Sequence, residues 1–251
     1  MSIAKIAAAL LRRVLALRPF RDVLVQNWRW LKFYPPVTPD QTRLAAWYQS
    51  QWPDYQAWLN QHALTCVAAW WRLRQADVAL TEPVLLTLIT PVYNTPPSML
   101  AECLLSVRQQ TYPFWQWLLI DDGSTDADTL ALLRAPMGRD PRICLLSQTN
   151  QGISAATNRG LAEARGTYVL FLDHDDRLSL DALSQIAHQV MTCPDTDIVY
   201  SDRDMISPEG YLHNHLFKPD WSPDTLLSGN YAFHLMAYRR ELLLELGGLR
   251  P

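Results

Sequence analysis

From residue 84 onward one pattern repeats: a short apolar run, a cluster of acids or amides, then a segment with helical spacing. The runs fall at residues 85–90, 117–120, 143–146, 168–172 and 198–200, and the helical segments at 98–110, 153–164 and 180–191. A strand that is apolar on both faces is covered on both faces. The pattern therefore predicts an α/β fold, a mostly parallel sheet between helices. In such sheets, ligands bind beyond the carboxyl ends of the strands. Polar residues gather there: Thr90-Pro91-Val92-Tyr93-Asn94 after the first run, Asp121-Asp122-Gly123-Ser124 after the second, Asp173-His174-Asp175-Asp176 after the fourth, and Ser201-Asp202-Arg203-Asp204 after the fifth. Carboxylates converging on one rim repel each other unless something positive sits among them.

The 173–176 stretch is the sharpest signal. In extended geometry Asp173 and Asp175 point the same way. Two hard oxygen ligands on one side suit Mg²⁺ or Mn²⁺, which complete their shells with water and phosphate. The bland alternative is a polar loop in which Asp176 or Ser179 caps the next helix. Asp121 to Ser124 likewise reads as a turn with a helix cap, or as carboxylates that accept from a base or ribose. The small residues at 152–158 open a helix whose free N–H groups suit phosphate, or simply let it pack closely on the sheet. Of His213, His215 and His234, the first two share a strand face. No third metal ligand is placed by spacing, so no histidine metal site is expected.

Composition shifts near residue 80. Seven of the ten tryptophans precede it, and the first 39 residues hold seven basic residues and one acid. Residues 1–80 read as a helical extension and 81–251 as the main domain. Residues 3–17 form a basic amphipathic helix, lying on an anionic membrane surface or packed on the domain with solvated arginines. No apolar run approaches the roughly 20 residues of a transmembrane helix. The net charge of −3 makes no electrostatic case for nucleic acid. Cys66, Cys103, Cys144 and Cys193 lack metal spacing and read as buried, reduced thiols. The expected location is cytoplasmic, with peripheral contact at the inner face of the cytoplasmic membrane left open.

Together these motifs resemble the family 2 glycosyltransferases over residues from about 84 to the end. The matching segments are Thr90 to Asn94, Gln109-Gln110-Thr111-Tyr112-Pro113, Asp121-Asp122-Gly123-Ser124-Thr125-Asp126, Asn150-Gln151-Gly152 with Asn158, and Asp173-His174-Asp175-Asp176. Tyr200-Ser201-Asp202, the 217–224 segment and Gly247-Gly248-Leu249-Arg250 are similar to bacterial O-antigen and rhamnosyltransferase-like members. The resemblance implies a GT-A nucleotide-diphospho-sugar transferase fold and inverting transfer from a nucleoside-diphosphate sugar to a saccharide or lipid-linked saccharide acceptor. Such chemistry serves surface polysaccharide synthesis. It implies donor contacts from Thr90, Pro91, Tyr93, Asn94, Asp121, Asp122, Asn158 and Asp173, and a divalent metal on Asp173 and Asp175. Thr157 stands where many relatives have Arg, and Met205 where many have Lys. The family's catalytic base is an acid shortly after the 247–250 segment, so it is expected beyond Pro251. The domain therefore reads as incomplete at its carboxyl end, with Asp202 and Asp204 as weak substitutes for that base. Two rival readings follow: a nucleotide-sugar binder without turnover, and a membrane-peripheral assembly module.

Overall fold

The central apolar runs form strands whose two faces are both buried, at every residue over 86–92 and 115–121. The computed structural model describes residues 67–136, 140–207, 212–232 and 234–250. The segment expected to form a basic helix, most of the tryptophan-rich segment and Pro251 therefore lie outside the described residues. In chain order the main body holds α1 (Val67–Val78), β1 (Leu86–Val92), α2 (Pro97–Arg108), β2 (Trp115–Asp121), α3 (Ala127–Arg134), β3 (Ile143–Ser147), α4 (Ile153–Glu163), β4 (Tyr168–Phe171), α5 (Ala182–Thr192) and β5 (Ile198–Tyr200). Two strands follow, β6 (Arg203–Ile206) and β7 (Leu212–Leu216), then α6 (Pro223–Ser228), β8 (Met236–Arg239) and α7 (Arg240–Glu245).

Six strands make one sheet in the order β3-β2-β1-β4-β8-β5. β1, β2, β3 and β4 pair in parallel, whereas β8 runs antiparallel to both β4 and β5. Successive side chains alternate between the two faces. Leu86, Leu88, Trp117, Leu119 and Leu170 join one core with Leu100 and Val107 of α2 and Leu183 and Ile186 of α5. Ile89, Leu118, Ile120 and Val169 join a second core with Ala156 and Leu161 of α4 and Leu243 of α7. Each fully buried large apolar side chain contributes about 1.5–3 kcal/mol. Gly160 lets α4 approach: a Cβ there would lie 2.5 Å from Ile89 Cγ2.

The expected strands and helices are observed, and the structure adds β6, β7, α6, β8 and α7 after them. β1 continues through Pro91 to Val92; the missing proline N–H is tolerated because the β4 register ends at Ile89 opposite Phe171. α3 was not expected; Asp126 caps it, accepting from Thr129 N at 2.7 Å. β5 does not neighbour β4, because β8 inserts between them. Cys193 is exposed, contrary to the expectation of buried thiols, while Cys103 is buried.

α1 is fastened to the sheet's helical layer. Trp70 Nε1 donates to the Gln109 carbonyl at 2.8 Å, and Arg74 donates to the Gln110 and Thr111 carbonyls. Buried Asp77 accepts from Ser184 Oγ at 2.9 Å. β6 and β7 form a separate two-stranded sheet. Residues 204–215 group apart from the main body. Within them Asn214 Nδ2 donates to Met205 Sδ at 3.1 Å. No helix of the described residues is long and apolar enough to cross a membrane.

Candidate functional site

The carboxyl ends of β1, β2, β3, β4 and β5 lie on one edge of the sheet, as the pairing requires. β8 runs the other way, so its amino end, led by His234, comes to that same edge.

On the β1–β2 flank the loops are braced to one another. Asn94 has φ +46°, and its Oδ1 accepts from Thr125 N at 2.8 Å and Asp126 N at 3.0 Å. Asp121 Oδ1 accepts from Ser124 N at 2.9 Å and closes the turn after β2. Asp122 is 3% exposed and accepts three bonds: from Gln148 Nε2 at 2.8 Å, Gln151 N at 2.9 Å and Gly152 N at 2.9 Å. Its carboxylate thus fixes the loop that opens α4. Thr90 is fully buried and accepts from Trp117 Nε1 at 2.9 Å, which joins β1 to β2 and turns its hydroxyl inward. Pro91 is also buried, while Tyr93 and Asn94 reach the surface.

At the centre of the edge stands the acidic stretch. It is a turn rather than extended chain, with Asp176 N donating to Asp173 O at 3.2 Å. The expectation that Asp173 and Asp175 align as in a strand therefore does not describe its backbone. The turn instead brings Asp173 and Asp176 together with His234, whose Nδ1 lies 3.6 Å from Asp173 Oδ2 and 3.2 Å from Asp176 Oδ2. Asp175 is more exposed, with Oδ1 3.9 Å from His174 Nδ1. One ligand atom from each of Asp173, Asp176 and His234 lies within 4.8 Å of the others, a spacing that suits one cation. Desolvation raises the Asp176 pKa, and the Asp173 and Asp175 carboxylates raise it further against the opposing pull of His234. A divalent cation would relieve that repulsion, so these residues fit one.

The turn is held from beneath by α2 and the residues after it. Cys103 Sγ donates to the Asp173 carbonyl at 3.6 Å, and burial together with the three aspartates pushes its pKa up. Ser106 Oγ accepts from Leu178 N at 3.2 Å. Gln110 Nε2 donates to the Ser179 carbonyl at 2.6 Å, and its Oε1 accepts from Leu183 N at 3.0 Å. Arg177 pairs with Glu102 at 3.1 Å. The Q-T-Y-P segment thus works as a bracket for the acidic turn. α5 has Asp181 at its N-cap, so neither Ser179 nor Asp176 fills that position.

On the β8–β5 flank, Lys218 ties three segments together. Its Nζ donates to the carbonyls of Ala232 at 2.9 Å and His234 at 3.0 Å, and its backbone N donates to Asp202 Oδ1 at 2.8 Å. Burial and the Arg203 charge push the ammonium pKa down to about 8, against the Asp202 carboxylate. Asp202 is exposed at the end of β5, and Asp204 belongs to β6 in the separately grouped segment.

Asn158 of α4 makes a tie of its own. Its Nδ2 donates to Leu249 O at 2.8 Å and its Oδ1 accepts from Leu249 N at 2.8 Å, clasping the segment after α7. Gly248, at φ +78°, makes the clasp possible: a Cβ there would lie 2.5 Å from Asn158 Oδ1. The clasp holds the chain two residues before Pro251. Sequence reasoning missed His234, since spacing alone offered it no partner. The clue was its place just before an unassigned strand. It also missed Asp176 as a partner of Asp173, because a turn was not foreseen.

Comparison with known proteins agrees with this geometry. The model of Glycosyl transferase family 2 matches residues 87–247. An O-antigen biosynthesis protein, RfbC, of Myxococcus xanthus is 39% identical over 198 residues, covering 78% of this chain and 15% of that protein. The uncharacterized protein y4gI of Sinorhizobium fredii is 36% identical over 236 residues, covering 87% of this chain and 26% of that protein. The chain thus spans only a minor part of these relatives. Among solved structures, the mannosyltransferase PcManGT from Pyrobaculum calidifontis, in complex with GDP-Man and Mn²⁺, aligns with a TM-score of 0.50 at 23% identity, over 73% of this chain and 55% of that one. S. aureus TarS 1–349 with UDP-GlcNAc aligns with a TM-score of 0.51 at 20% identity, over 66% and 48%. The fold is that of the GT-A glycosyltransferases, and the chain belongs to glycosyl transferase family 2.

Proposed function

We propose that this domain transfers a sugar from a nucleoside-diphosphate sugar to an acceptor hydroxyl, in the synthesis of a bacterial surface polysaccharide. The observation that carries this is the convergence of Asp173, Asp176 and His234 at the centre of the strand-end edge. The nucleoside lies on the braced β1–β2 flank, where Tyr93 and Asn94 are exposed beside the 121–126 turn. Asp173 and Asp176, with His234 and the neighbouring Asp175, hold a divalent metal, Mn²⁺ or Mg²⁺. When bound, that metal neutralises charge on the leaving diphosphate. The two structural neighbours support the reading, since one holds GDP-Man with Mn²⁺ and the other UDP-GlcNAc. The acceptor hydroxyl attacks the anomeric carbon in line, and its proton passes to a carboxylate base. In the family pattern that base follows the 247–250 segment. The product is inverted at the anomeric carbon.

Calorimetric titration with UDP- and GDP-sugars, with and without Mn²⁺, tests this. The parent binds a donor only with the metal. Asp175→Ala and the double variant Asp173→Ala/Asp176→Ala lose that binding. If both variants bind donor and Mn²⁺ as the parent does, the assignment of this turn is wrong. Donor binding without transfer to any acceptor supports the non-catalytic alternative.

A further inference from the structure

Beyond the acidic turn, a groove of about 340 Å³ opens at the other flank of the sheet. Gln185 and Gln189 of α5 line it, together with Tyr200, Ser201 and Asp202 at the end of β5. Ile186, Val199 and Leu235 supply its apolar surface. Two of its lining residues are close in sequence to the acidic cluster: Ser179 lies three residues after Asp176, and Leu235 directly follows His234. Strand order fixes the layout. β2 and β1 lie on one side of β4, and β8 and β5 on the other. The acidic turn at the end of β4 therefore lies between the first flank and the groove.

The lining decides what kind of ligand fits. It holds Asp202 and no basic side chain, so a phosphate or other anion is disfavoured there. Two amides, three hydroxyls and a carboxylate would leave a lipid tail facing unmatched polar groups. A neutral sugar ring has hydroxyls around its rim and apolar C–H patches on its faces, which suits amides and carboxylates beside an apolar surface. The wall is firm. Tyr200 packs edge-on against Tyr231 at 5.7 Å, and its hydroxyl donates to the Pro219 carbonyl at 2.7 Å. Ser201 Oγ accepts from Leu235 N at 3.2 Å, joining the β5 wall to Leu235.

We propose that this groove binds a neutral saccharide unit of the acceptor, set back from the hydroxyl that reacts. The assignment of that unit to an acceptor rests on the transfer reading above. Binding a remote unit selects acceptors and supplies energy to orient the reacting end. Gln185 and Gln189 are the selecting residues; both are exposed, so their replacement spares the core.

Saturation-transfer NMR on the full chain tests the site, with methyl glycosides of glucose, galactose, mannose and rhamnose as probes. At least one glycoside receives saturation from the parent. The double variant Gln185→Ala/Gln189→Ala weakens that binding roughly tenfold, as expected for the loss of two neutral hydrogen bonds. Its melting temperature and its calorimetric donor affinity stay at the parent's values. Asp175→Ala, which removes donor binding, leaves the glycoside signal intact. The proposal is overturned if no glycoside is bound, or if the double variant binds as well as the parent. Glycoside binding by a parent that binds no donor would instead sink the transfer reading and leave the groove's sugar specificity standing.

Discussion

The two flanks of the strand-end edge are built differently. On the β1–β2 flank the strands are wholly buried, and the exposed loops above them are tied by side-chain to backbone bonds from Asn94, Asp121 and Asp122. On the β8–β5 flank the strands are short and only partly buried, α6 buries no residue, and Phe217, Trp221 and Leu227 stand 60%, 61% and 88% exposed. The first flank is preorganised: its polar atoms are held before a ligand arrives, so little ordering remains to be done on binding. The second offers surface and a groove, with Lys218 as its main internal tie. Such a division matches the proposal of a donor on the first flank and an acceptor unit on the second.

Breaking the stiff flank should give the largest effect. Asp122→Ala removes the acceptor for three donors around a carboxylate that is 3% exposed. Hydrogen bonds to charged groups are worth about 1.5–3 kcal/mol each, and their losses overlap within one loop, so a cost of about 3 kcal/mol is expected. Chemical denaturation measures it. A cost below about 1 kcal/mol would show that the loop holds its shape unaided, and the contrast between the flanks would fail.

The Asn158 clasp is the next strongest tie. Asn158→Ala breaks both bonds to Leu249. These are neutral bonds, worth about 0.5–1.5 kcal/mol each, so a loss of about 1–2 kcal/mol is expected. Hydrogen exchange at the Leu249 amide should quicken while amides of β1 keep their protection.

The same contrast decides what can be read from sequence. β1, β2 and β4 are legible because a run of mostly apolar residues has one stable home, a sheet covered on both faces; β3 is legible from its apolar run although it lies at the edge and is only partly buried. The acids at their ends are legible as a rim for the same reason. β8, Met-Ala-Tyr-Arg, carries no such run, and its insertion between β4 and β5 is a choice of long-range pairing that local pattern does not encode. His234 reaches the acidic turn only because β8 runs antiparallel, so it is hidden with the strand. The roles of Gln110 and Asn158 are hidden differently. Both stand in family motifs, but an amide side chain does not announce whether it will meet a ligand or brace a distant backbone.

A smaller change probes how closely the stiff flank is packed. Gly160→Ala gains about 1 kcal/mol of helix propensity but sets a Cβ 2.5 Å from Ile89 Cγ2. Overpacking costs about 1–3 kcal/mol, so the net is a loss of up to about 2 kcal/mol in thermal melts. A net gain would mean that Ile89 yields and that α4 tolerates slack above the sheet.

The least effect is expected from Trp221→Ala on the open flank. Removing a buried tryptophan costs about 3–5 kcal/mol. Trp221 is 61% exposed, and the bond beside it, from Ser222 N to Tyr231 Oη at 3.0 Å, does not involve its ring. The variant should therefore unfold within about 0.5 kcal/mol of the parent. A large aromatic ring left so exposed contributes little to the fold, so if it matters, it matters to a partner. Measured beside Asp122→Ala, a change below about 0.5 kcal/mol against one of about 3 kcal/mol would separate the flanks directly. Equal losses would mean that the 217–224 segment is held as firmly as the loops after β1 and β2, and that the open flank is stiffer than its exposure indicates.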